Sequence, residues 1–185
     1  MSFLSSDTWK QYFEKRNTKI LLLGIDDTGK KTIFRQLQLF DQIRYDQLIG
    51  FQGMIFEYKG FNITSWDYTA DDRIRAYWRR KYFSDIKGII YVVDSSNSMR
   101  LEYSVYELHE ILKEEKIKDS ILLIFLNKQD QKNSIDSDEF EKKLNKELIE
   151  NRTFKIQKSI ATIGEGIYEG LNWIGESINN KFRPK

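Results

Sequence analysis

The stretch Lys19-Ile-Leu-Leu-Leu-Gly24-Ile-Asp-Asp-Thr-Gly29-Lys30-Lys31-Thr32 decides which fold this chain can adopt. Its first half is a short, continuous apolar run of the kind that a buried strand shows. A glycine-containing turn follows, and then a helical stretch near residues 30–40. In this order the segments predict a phosphate-binding loop. In such a loop, backbone N–H groups and a helix N-terminus point at the phosphate groups of the ligand, and a lysine reaches the terminal phosphates.

The residues of this loop form the first candidate site. We expect contacts to a bound phosphate from seven of them, namely Asp26, Asp27, Thr28, Gly29, Lys30, Lys31 and Thr32. The strict pattern requires serine or threonine directly after Gly-Lys, and Lys31 stands there instead. On this motif alone, an ordinary turn is an equally good interpretation.

Apolar and helical segments alternate along the rest of the chain. Strands are predicted at 51–58, 61–66, 88–94, 121–126 and 154–160, and helices at 99–115 and 165–181. The first two of these strands are joined at Lys59-Gly60, which is typical of a hairpin. The pattern predicts an α/β fold with a six-stranded, mostly parallel sheet and helices on both faces. The strand from Phe51 is expected to be its one antiparallel member.

Composition excludes several classes of function. A chain of 185 residues fits one domain, and a net charge of +2 is too small to indicate nucleic-acid binding. No cysteine is present, which excludes disulfides, thiolate catalysis and cysteine-ligated metal. The one histidine, His109, cannot form a histidine-based metal site and is expected to be a plain surface residue.

The N-terminal residues 1–17 are predicted to form an amphipathic helix ahead of a single domain at 18–185. Trp9, Tyr12 and Phe13 fall on one face of that helix. Ser2 stands where N-myristoylation requires glycine, so no lipid chain is expected. No apolar run reaches the length of a transmembrane segment, and we expect a cytosolic location.

A second motif, Asn127-Lys128-Gln129-Asp130, directly follows an apolar strand run. It therefore lies at the carboxyl edge of the predicted sheet, where nucleotides bind in open α/β folds. The Asp130 carboxylate can accept hydrogen bonds from guanine N1–H and from its exocyclic amine, a pair that adenine does not offer. The alternative is a common polar turn, and the phosphate loop upstream favours the guanine site.

These motifs resemble those of the ADP-ribosylation-factor (Arf) family of small GTPases. The phosphate loop is similar to the family's Gly-Leu-Asp-Ala-Ala-Gly-Lys-Thr-Thr, and Asn127–Asp130 matches its guanine motif. Segments 49–51 and 66–67 match the borders of its interswitch, and 74–79 matches its second switch. The resemblance implies the P-loop small-GTPase fold and GTP or GDP as the ligand. It also implies nucleotide contacts from Asn127, Lys128, Asp130, Ala161 and Thr162.

The departures from the family pattern concern the chemistry of the switch. Lys31 and Leu48 replace the two threonines with which the family binds Mg²⁺, and neither side chain can coordinate a hard cation. Ala70 replaces the glycine that senses the terminal phosphate, and Asp71 replaces the glutamine that orients the attacking water. Magnesium binding is therefore doubtful and no catalytic residue is assigned. These departures from the family pattern indicate a pseudo-GTPase.

Asp27 is a further departure, because the family has alanine there. At an assumed distance of about 5 Å and an effective dielectric constant of about 20, its charge repels a phosphate charge by about 3 kcal/mol. The ammonium group of Lys31 can offset this repulsion. The sequence leaves open whether nucleotide binds tightly, weakly or not at all.

Two functions compete on this sequence. The first is a conventional Arf-like regulator of membrane or ciliary traffic that cycles between GDP and GTP. The second is a degenerate GTPase that acts through protein–protein interaction, in the cytoplasm, at a membrane periphery or as a subunit of a larger assembly. Lys31, Leu48 and Asp71 favour the second function, whereas the intact guanine motif favours a nucleotide that is still held.

The expected partner surface consists of Phe51, Trp66 and Tyr82, which match the aromatic trio that the family presents to effectors. Rigid exposed aromatic residues dominate binding hot spots. The alternative is that these rings belong to the core. A basic patch for nucleic acid or acidic lipid is a weaker hypothesis, and the solvated face of the second-switch helix is the better interpretation of its residues, Arg73, Arg75, Arg79, Arg80 and Lys81.

Overall fold

The structure is a computed structural model that describes residues 18–37, 44–48, 51–58, 60–65, 79 and 82–182. The predicted helix at residues 1–17 lies outside the described residues. So do Trp66, Ala70 and Asp71, together with the remainder of the second switch. Leu48 and Phe51 are described for their backbone positions.

The described elements alternate as the sequence predicts. The strands are β1 (Thr18–Leu23), β2 (Arg44–Leu48), β3 (Phe51–Tyr58), β4 (Phe61–Ser65), β5 (Ile86–Asp94), β6 (Ile121–Asn127) and β7 (Phe154–Lys158). The helices are α1 (Lys30–Gln36), α2 (Ser98–Leu112), α3 (Ser137–Glu141), α4 (Lys146–Ile149) and α5 (Ile167–Phe182), with a 3₁₀ turn at Glu115–Ile117. Among the described residues, no helix has the length and apolarity that crossing a bilayer requires.

The strands form one sheet in the order β2-β3-β4-β1-β5-β6-β7. Within the described residues β3 runs antiparallel to both of its neighbours, and the remaining pairs are parallel. The predicted α/β class, the mostly parallel sheet and the antiparallel strand at Phe51 are confirmed. The predicted count of six strands is one short of the seven that the described ranges contain. The additional strand, β2, lies at the edge of the sheet, where it pairs with β3. An edge strand does not need a continuous apolar run, so the sequence pattern did not predict it.

Strand β1 shows why the central strands are continuously apolar. Ile20 and Leu22 point into the core cluster that α1 and α5 cover. Leu21 and Leu23 point into the opposite cluster, which α2, α3 and α4 cover. Full burial of a Leu or Ile side chain contributes about 2 kcal/mol, so each face of this strand holds a helix layer against the sheet.

His109 is partly buried on α2, which corrects the prediction of a plain surface histidine. Its Nε2 accepts a hydrogen bond from the backbone N–H of Asn145 at 3.0 Å. Burial lowers the pKa of His109, and the nearby charge of Lys113 lowers it further against the opposing effect of Glu110. The neutral imidazole therefore links α2 to the start of α4.

Arg152 connects three chain segments beneath the sheet. Its side chain is buried, and one terminal nitrogen donates to the carbonyl oxygen of Ile117 at 2.6 Å and to Ser120 Oγ at 3.1 Å. The other donates to the carbonyl oxygen of Leu112, the last residue of α2, at 3.5 Å. A guanidinium at the end of a helix satisfies carbonyl groups that have no partner within the helix.

Replacing this guanidinium should therefore destabilise the fold. We expect Arg152→Ala to lower the free energy of unfolding by about 2 kcal/mol, because the substitution removes a buried, charged donor from the carbonyl oxygens of Ile117 and Leu112 and from Ser120 Oγ. Urea unfolding followed by circular dichroism measures the change. The control is Lys118→Ala, which removes an exposed cation paired with Glu115 and should leave the free energy of unfolding nearly unchanged. Equal free energies of unfolding for the two variants would contradict the stabilising role of the Arg152 guanidinium.

Candidate functional site

The predicted phosphate loop joins β1 to α1 at the carboxyl edge of the sheet. Its backbone departs from regular structure at Gly24, Asp27 and Gly29, whose φ angles are 149°, 58° and 101°. The side chain of Lys30 folds back into the loop, where Nζ donates to the carbonyl oxygens of Gly24 at 2.7 Å and Ile25 at 2.6 Å. The loop thus has the form of a phosphate cradle with a buried ammonium group at its base.

Gly29 can only be glycine in this arrangement. A Cβ atom there would lie 2.3 Å from Asn127 Nδ2, a distance that real Cβ atoms essentially never show. The φ angle of 101° is also one that residues with a side chain rarely adopt. The glycine of the motif is therefore explained by a close contact between the phosphate loop and the guanine motif.

Asn127 supplies that contact. Its Nδ2 donates to the carbonyl oxygen of Thr28 at 2.8 Å, and its Oδ1 accepts from the backbone N–H of Ala161 at 3.0 Å. Ser159 Oγ donates to the same oxygen at 3.3 Å. The amide is only 2% exposed, so its hydrogen bonds compete little with water. One side chain thus joins the phosphate loop, the guanine motif and the loop after β7.

Lys128 lies in the cleft between two carboxylates. Its Nζ is 2.8 Å from Asp94 Oδ2 and 3.5 Å from Asp27 Oδ2. The backbone of Lys128 has a φ of 63°, in the left-handed region that a residue with a side chain enters at a cost of about 1–2 kcal/mol. This conformation and the two ion pairs fix the ammonium group between the guanine motif and the phosphate loop.

The pKa values of this group follow from its surroundings. Burial alone lowers the pKa of Lys128, but the hydrogen bond from Lys128 to Asp94 and the charges of Asp94 and Asp27 outweigh it and raise the pKa. Burial raises the pKa of Asp94, and the hydrogen bonds from Lys128 and Ser96 outweigh it and lower the pKa. Both groups are therefore charged at neutral pH.

Asp130 lies at the exposed rim of the same cleft. One of its carboxylate oxygens accepts from Gln131 Nε2 at 3.0 Å. The preceding Gln129 anchors the motif, because its Nε2 donates to Ser95 Oγ at 2.9 Å and to the carbonyl oxygen of Ile135 at 3.0 Å. The carboxylate thus stands on a fixed turn and is accessible to a base that enters from solvent.

The loop after β7 brings Ala161 and Thr162 to the same edge. Ala161 is buried, and Thr162 is exposed beside Ile163, whose side chain is 65% exposed. The N–H of Ala161 donates to Asn127, so Ala161 takes part in the support of the site. Ile163 adds an exposed apolar side chain to this loop.

The two residues after Lys30 differ in their environment. Lys31 is exposed on the first turn of α1, and Thr32 is partly buried. An ammonium group has no lone pair with which to coordinate a metal ion, so the residue at 31 does not fit a Mg²⁺ site. The position instead brings a positive charge to the mouth of the phosphate loop.

The sequence analysis did not predict the contributions of Arg100, Asp94 and Ser95 to the site. Arg100 on α2 forms an ion pair with Asp26 of the phosphate loop. Asp94 and Ser95 follow β5, and Ser95 Oγ donates to the backbone oxygen of Asn127 at 2.6 Å. Asp94 could have been predicted, because it ends a buried strand that is parallel to β1 and neighbours it. The carboxyl ends of parallel strands meet at one edge of the sheet, where the phosphate loop also lies. No sequence pattern relates Arg100 to Asp26, which is 74 residues away.

The predicted surfaces outside the cleft are described only in part. Tyr82 is partly buried and packs against the core cluster on the α2 side of the sheet. Arg79 forms an ion pair with Glu114 at 3.0 Å, which partly neutralises that member of the basic group. Arg73, Arg75, Arg80 and Lys81 lie outside the described residues.

The Asn127 amide should be required for the integrity of the cleft. Asn127→Asp replaces the donor to Thr28 by a carboxylate oxygen, so we expect the free energy of unfolding to fall by about 2–3 kcal/mol without added nucleotide. Urea unfolding measures this change in the free energy of unfolding. The control, Asn133→Asp, makes the same change at an exposed position in the following loop and should have little effect. A variant at Asn127 as stable as this control would refute the supporting role.

Comparison with known proteins agrees with this geometry. The solved structure of the Arl6 BBS3 small GTPase from Trypanosoma brucei with bound nucleotide analogue GppNp is similar to this chain, with 26% sequence identity and a TM-score of 0.70. The similarity covers 89% of this chain and 98% of the trypanosome protein. The family model for the ADP-ribosylation factor family matches residues 5–178. The phosphate loop and the guanine motif are joined through Asn127. The match to the family model over most of the sequence shows that the chain belongs to the ADP-ribosylation factor family.

Proposed function

We propose that this protein binds guanine nucleotide, hydrolyses GTP extremely slowly or not at all, and acts through contacts with other proteins. The observation that carries the proposal is an assembled nucleotide cleft with an exposed cation, Lys31, directly after the phosphate-binding lysine. The assembled cleft supports the binding of guanine nucleotide. The ammonium group of Lys31 is unfavourable for GTP hydrolysis that depends on magnesium.

Support for nucleotide binding comes from three described groups. The Lys30 ammonium lies at the base of the phosphate loop, Lys128 lies in the cleft, and Asp130 presents its carboxylate at the rim. These are a phosphate ligand, a cation beside the nucleotide and an acceptor for the guanine edge. The similar trypanosome protein holds the nucleotide analogue GppNp, and we infer GTP or GDP for this chain.

Support for lost hydrolysis comes from the residues that replace the family's reactive groups. Lys31 offers no lone pair to a metal ion. Leu48 is the last residue of β2, and an apolar side chain there cannot supply the second hydroxyl ligand. Ala70 and Asp71 replace the phosphate-sensing glycine and the water-orienting glutamine in the sequence. The terminal phosphates therefore lack both a fitted metal site and a group that positions water.

The charge of Lys31 gives the proposal a further consequence. An ammonium group near the phosphates supplies one positive charge that magnesium supplies in the family, but without any requirement for the ion. Nucleotide affinity is therefore expected to depend little on magnesium.

The first experiment identifies the nucleotide that co-purifies with the full-length protein and follows one turnover of added GTP. We expect guanine nucleotide in the purified protein, no measurable phosphate release over hours, and affinity that EDTA changes less than threefold. Lys31→Thr supplies one hydroxyl group that can coordinate Mg²⁺, so EDTA should lower the affinity of this variant more than that of the wild type. The control Lys19→Thr alters an exposed lysine on β1 and should behave as the wild type.

Each failure has a distinct meaning in this experiment. Phosphate release at a rate usual for small GTPases would support the alternative, a conventional Arf-like regulator of membrane or ciliary traffic. A large loss of affinity in EDTA would contradict the role of Lys31. Absence of nucleotide at every concentration tested would overturn the proposed binding itself.

The protein–protein part of the proposal concerns the interswitch. Phe51 begins β3 and Ser65, the neighbour of Trp66, ends β4, so the chain brings these two positions to one end of the hairpin. The register places Met54 opposite Ser65, three residues from Phe51. Tyr82 differs, because its ring packs partly against the core. We therefore assign partner binding to Phe51 and Trp66, and a mixed role to Tyr82, in a cytoplasmic protein that is peripheral to a membrane or part of a large complex.

Alanine substitutions should separate these roles. Phe51→Ala with Trp66→Ala should abolish recovery of the native partner with tagged full-length protein, while circular dichroism stays unchanged. Tyr82→Ala should lower the melting temperature, because it removes packing from the core. Tyr106→Ala is the control, since this ring on α2 is 57% exposed and outside the surface. Undiminished partner recovery by the double variant would show that the interswitch is not the docking surface.

A further inference from the structure

The phosphate loop carries two neighbouring carboxylates, and each contacts a cation from a different part of the chain. Asp26 forms an ion pair with Arg100 of α2, and Asp27 lies 3.5 Å from Lys128 of the guanine motif. A loop that binds phosphate is an unfavourable place for negative charge, because the ligand is itself an anion. The two cations therefore act as counter-ions that the fold brings to the loop.

The two carboxylates that share Lys128 are not equivalent. Asp94 is 2.8 Å from the ammonium group, and its side chain is 13% exposed. Asp27 is 3.5 Å from it, and its side chain is 81% exposed. The Lys128–Asp94 pair is therefore the shorter and better shielded interaction. Asp27 adds a second, solvent-screened attraction toward the phosphate loop.

The backbone of Asp27 has a conformation that suits this residue type. Its φ of 58° places it in the left-handed region, where aspartate and asparagine are tolerated better than most residues. The residue stands between Asp26 and Thr28 within the turn of the loop, ahead of Gly29 and Lys30. The backbone of Asp27 is thus part of the phosphate cradle, and the single long contact to Lys128 leaves the charge of its side chain only partly neutralised.

We propose that Asp27 sets the rate at which nucleotide leaves the cleft, by repelling the phosphates and by drawing Lys128 toward the phosphate loop. This inference rests on the proposed nucleotide binding. Both effects weaken the bound state, since a phosphate close to the loop meets a like charge and Lys128 is shared with a second carboxylate. Dissociation is therefore expected to be faster from this protein than from a variant that lacks the charge at residue 27.

The experiment removes the negative charge of residue 27 and keeps the size of its side chain. Asp27→Asn retains the side-chain size and the preference for the left-handed region, so the loop conformation is preserved. GDP that carries a fluorescent N-methylanthraniloyl group is loaded on the full-length protein and chased with unlabelled GDP, at low and at high salt. The matched control is Glu115→Gln, because Glu115 is an exposed carboxylate, 80% accessible, that pairs with Lys118 away from the cleft.

We expect Asp27→Asn to slow dissociation at least tenfold at about 50 mM salt, and Glu115→Gln to leave the rate unchanged. Raising the salt to about 0.5 M should reduce the difference between wild type and Asp27→Asn to less than about threefold, because mobile ions screen charges at such separations. A purely structural role would change the rate equally at both salt concentrations. Asp27→Gly serves as a second variant, and its rate should follow that of Asp27→Asn.

Two further results would overturn the inference. Equal or faster dissociation from both Asp27 variants, with labelled GDP bound by all proteins, would refute the role of Asp27 and leave the proposed function intact. Failure of wild type and variants alike to bind labelled GDP would refute the proposed function together with this inference.

Discussion

The side-chain amide of Asn127 is the interaction on which the candidate site depends. The phosphate loop follows β1, the guanine motif follows β6, and the third loop follows β7, so these segments are far apart along the chain. The sheet brings their ends to one edge but does not set their separation. Asn127 does so, because it donates to Thr28 and accepts from Ala161 within a buried, nearly water-free position. The contact is close enough that only glycine fits at residue 29.

Around this amide the cleft contains an unusual balance of charge. Lys30 and Lys128 are cations expected in such a site, and each is held by oxygen atoms of the fold. Asp27 and Lys31 are additions of opposite sign at the mouth of the phosphate loop. In the proposed function, these fixed charges of the chain take the place of a magnesium ion. Fixed charges cannot change between two nucleotide states as a metal coordination sphere does, and this favours a binding protein over a switch.

Much of the fold could be predicted because its signals are local. The continuous apolar runs of β1, β5 and β6 follow from burial on both faces of a parallel sheet. The hairpin and its antiparallel strand follow from the short connection at residues 59–60. Strand β2 was missed because it is an edge strand whose stability comes from pairing with β3, a contact that composition does not reveal. The ion pairs of Arg100 with Asp26 and of Lys128 with Asp94 were missed for the same reason.

The sequence by itself determined the family, the positions of the candidate nucleotide motifs along the chain and the identity of the residues that differ from the family pattern. These properties depend on side-chain chemistry and on motifs that are contiguous along the chain. Only the tertiary structure decided which counter-ion each carboxylate receives and that Asn127 joins the loops. It also decided that Tyr82 packs partly against the core. Those properties depend on distances between segments that are far apart in sequence, and such distances are set by the packing of the sheet and its helices.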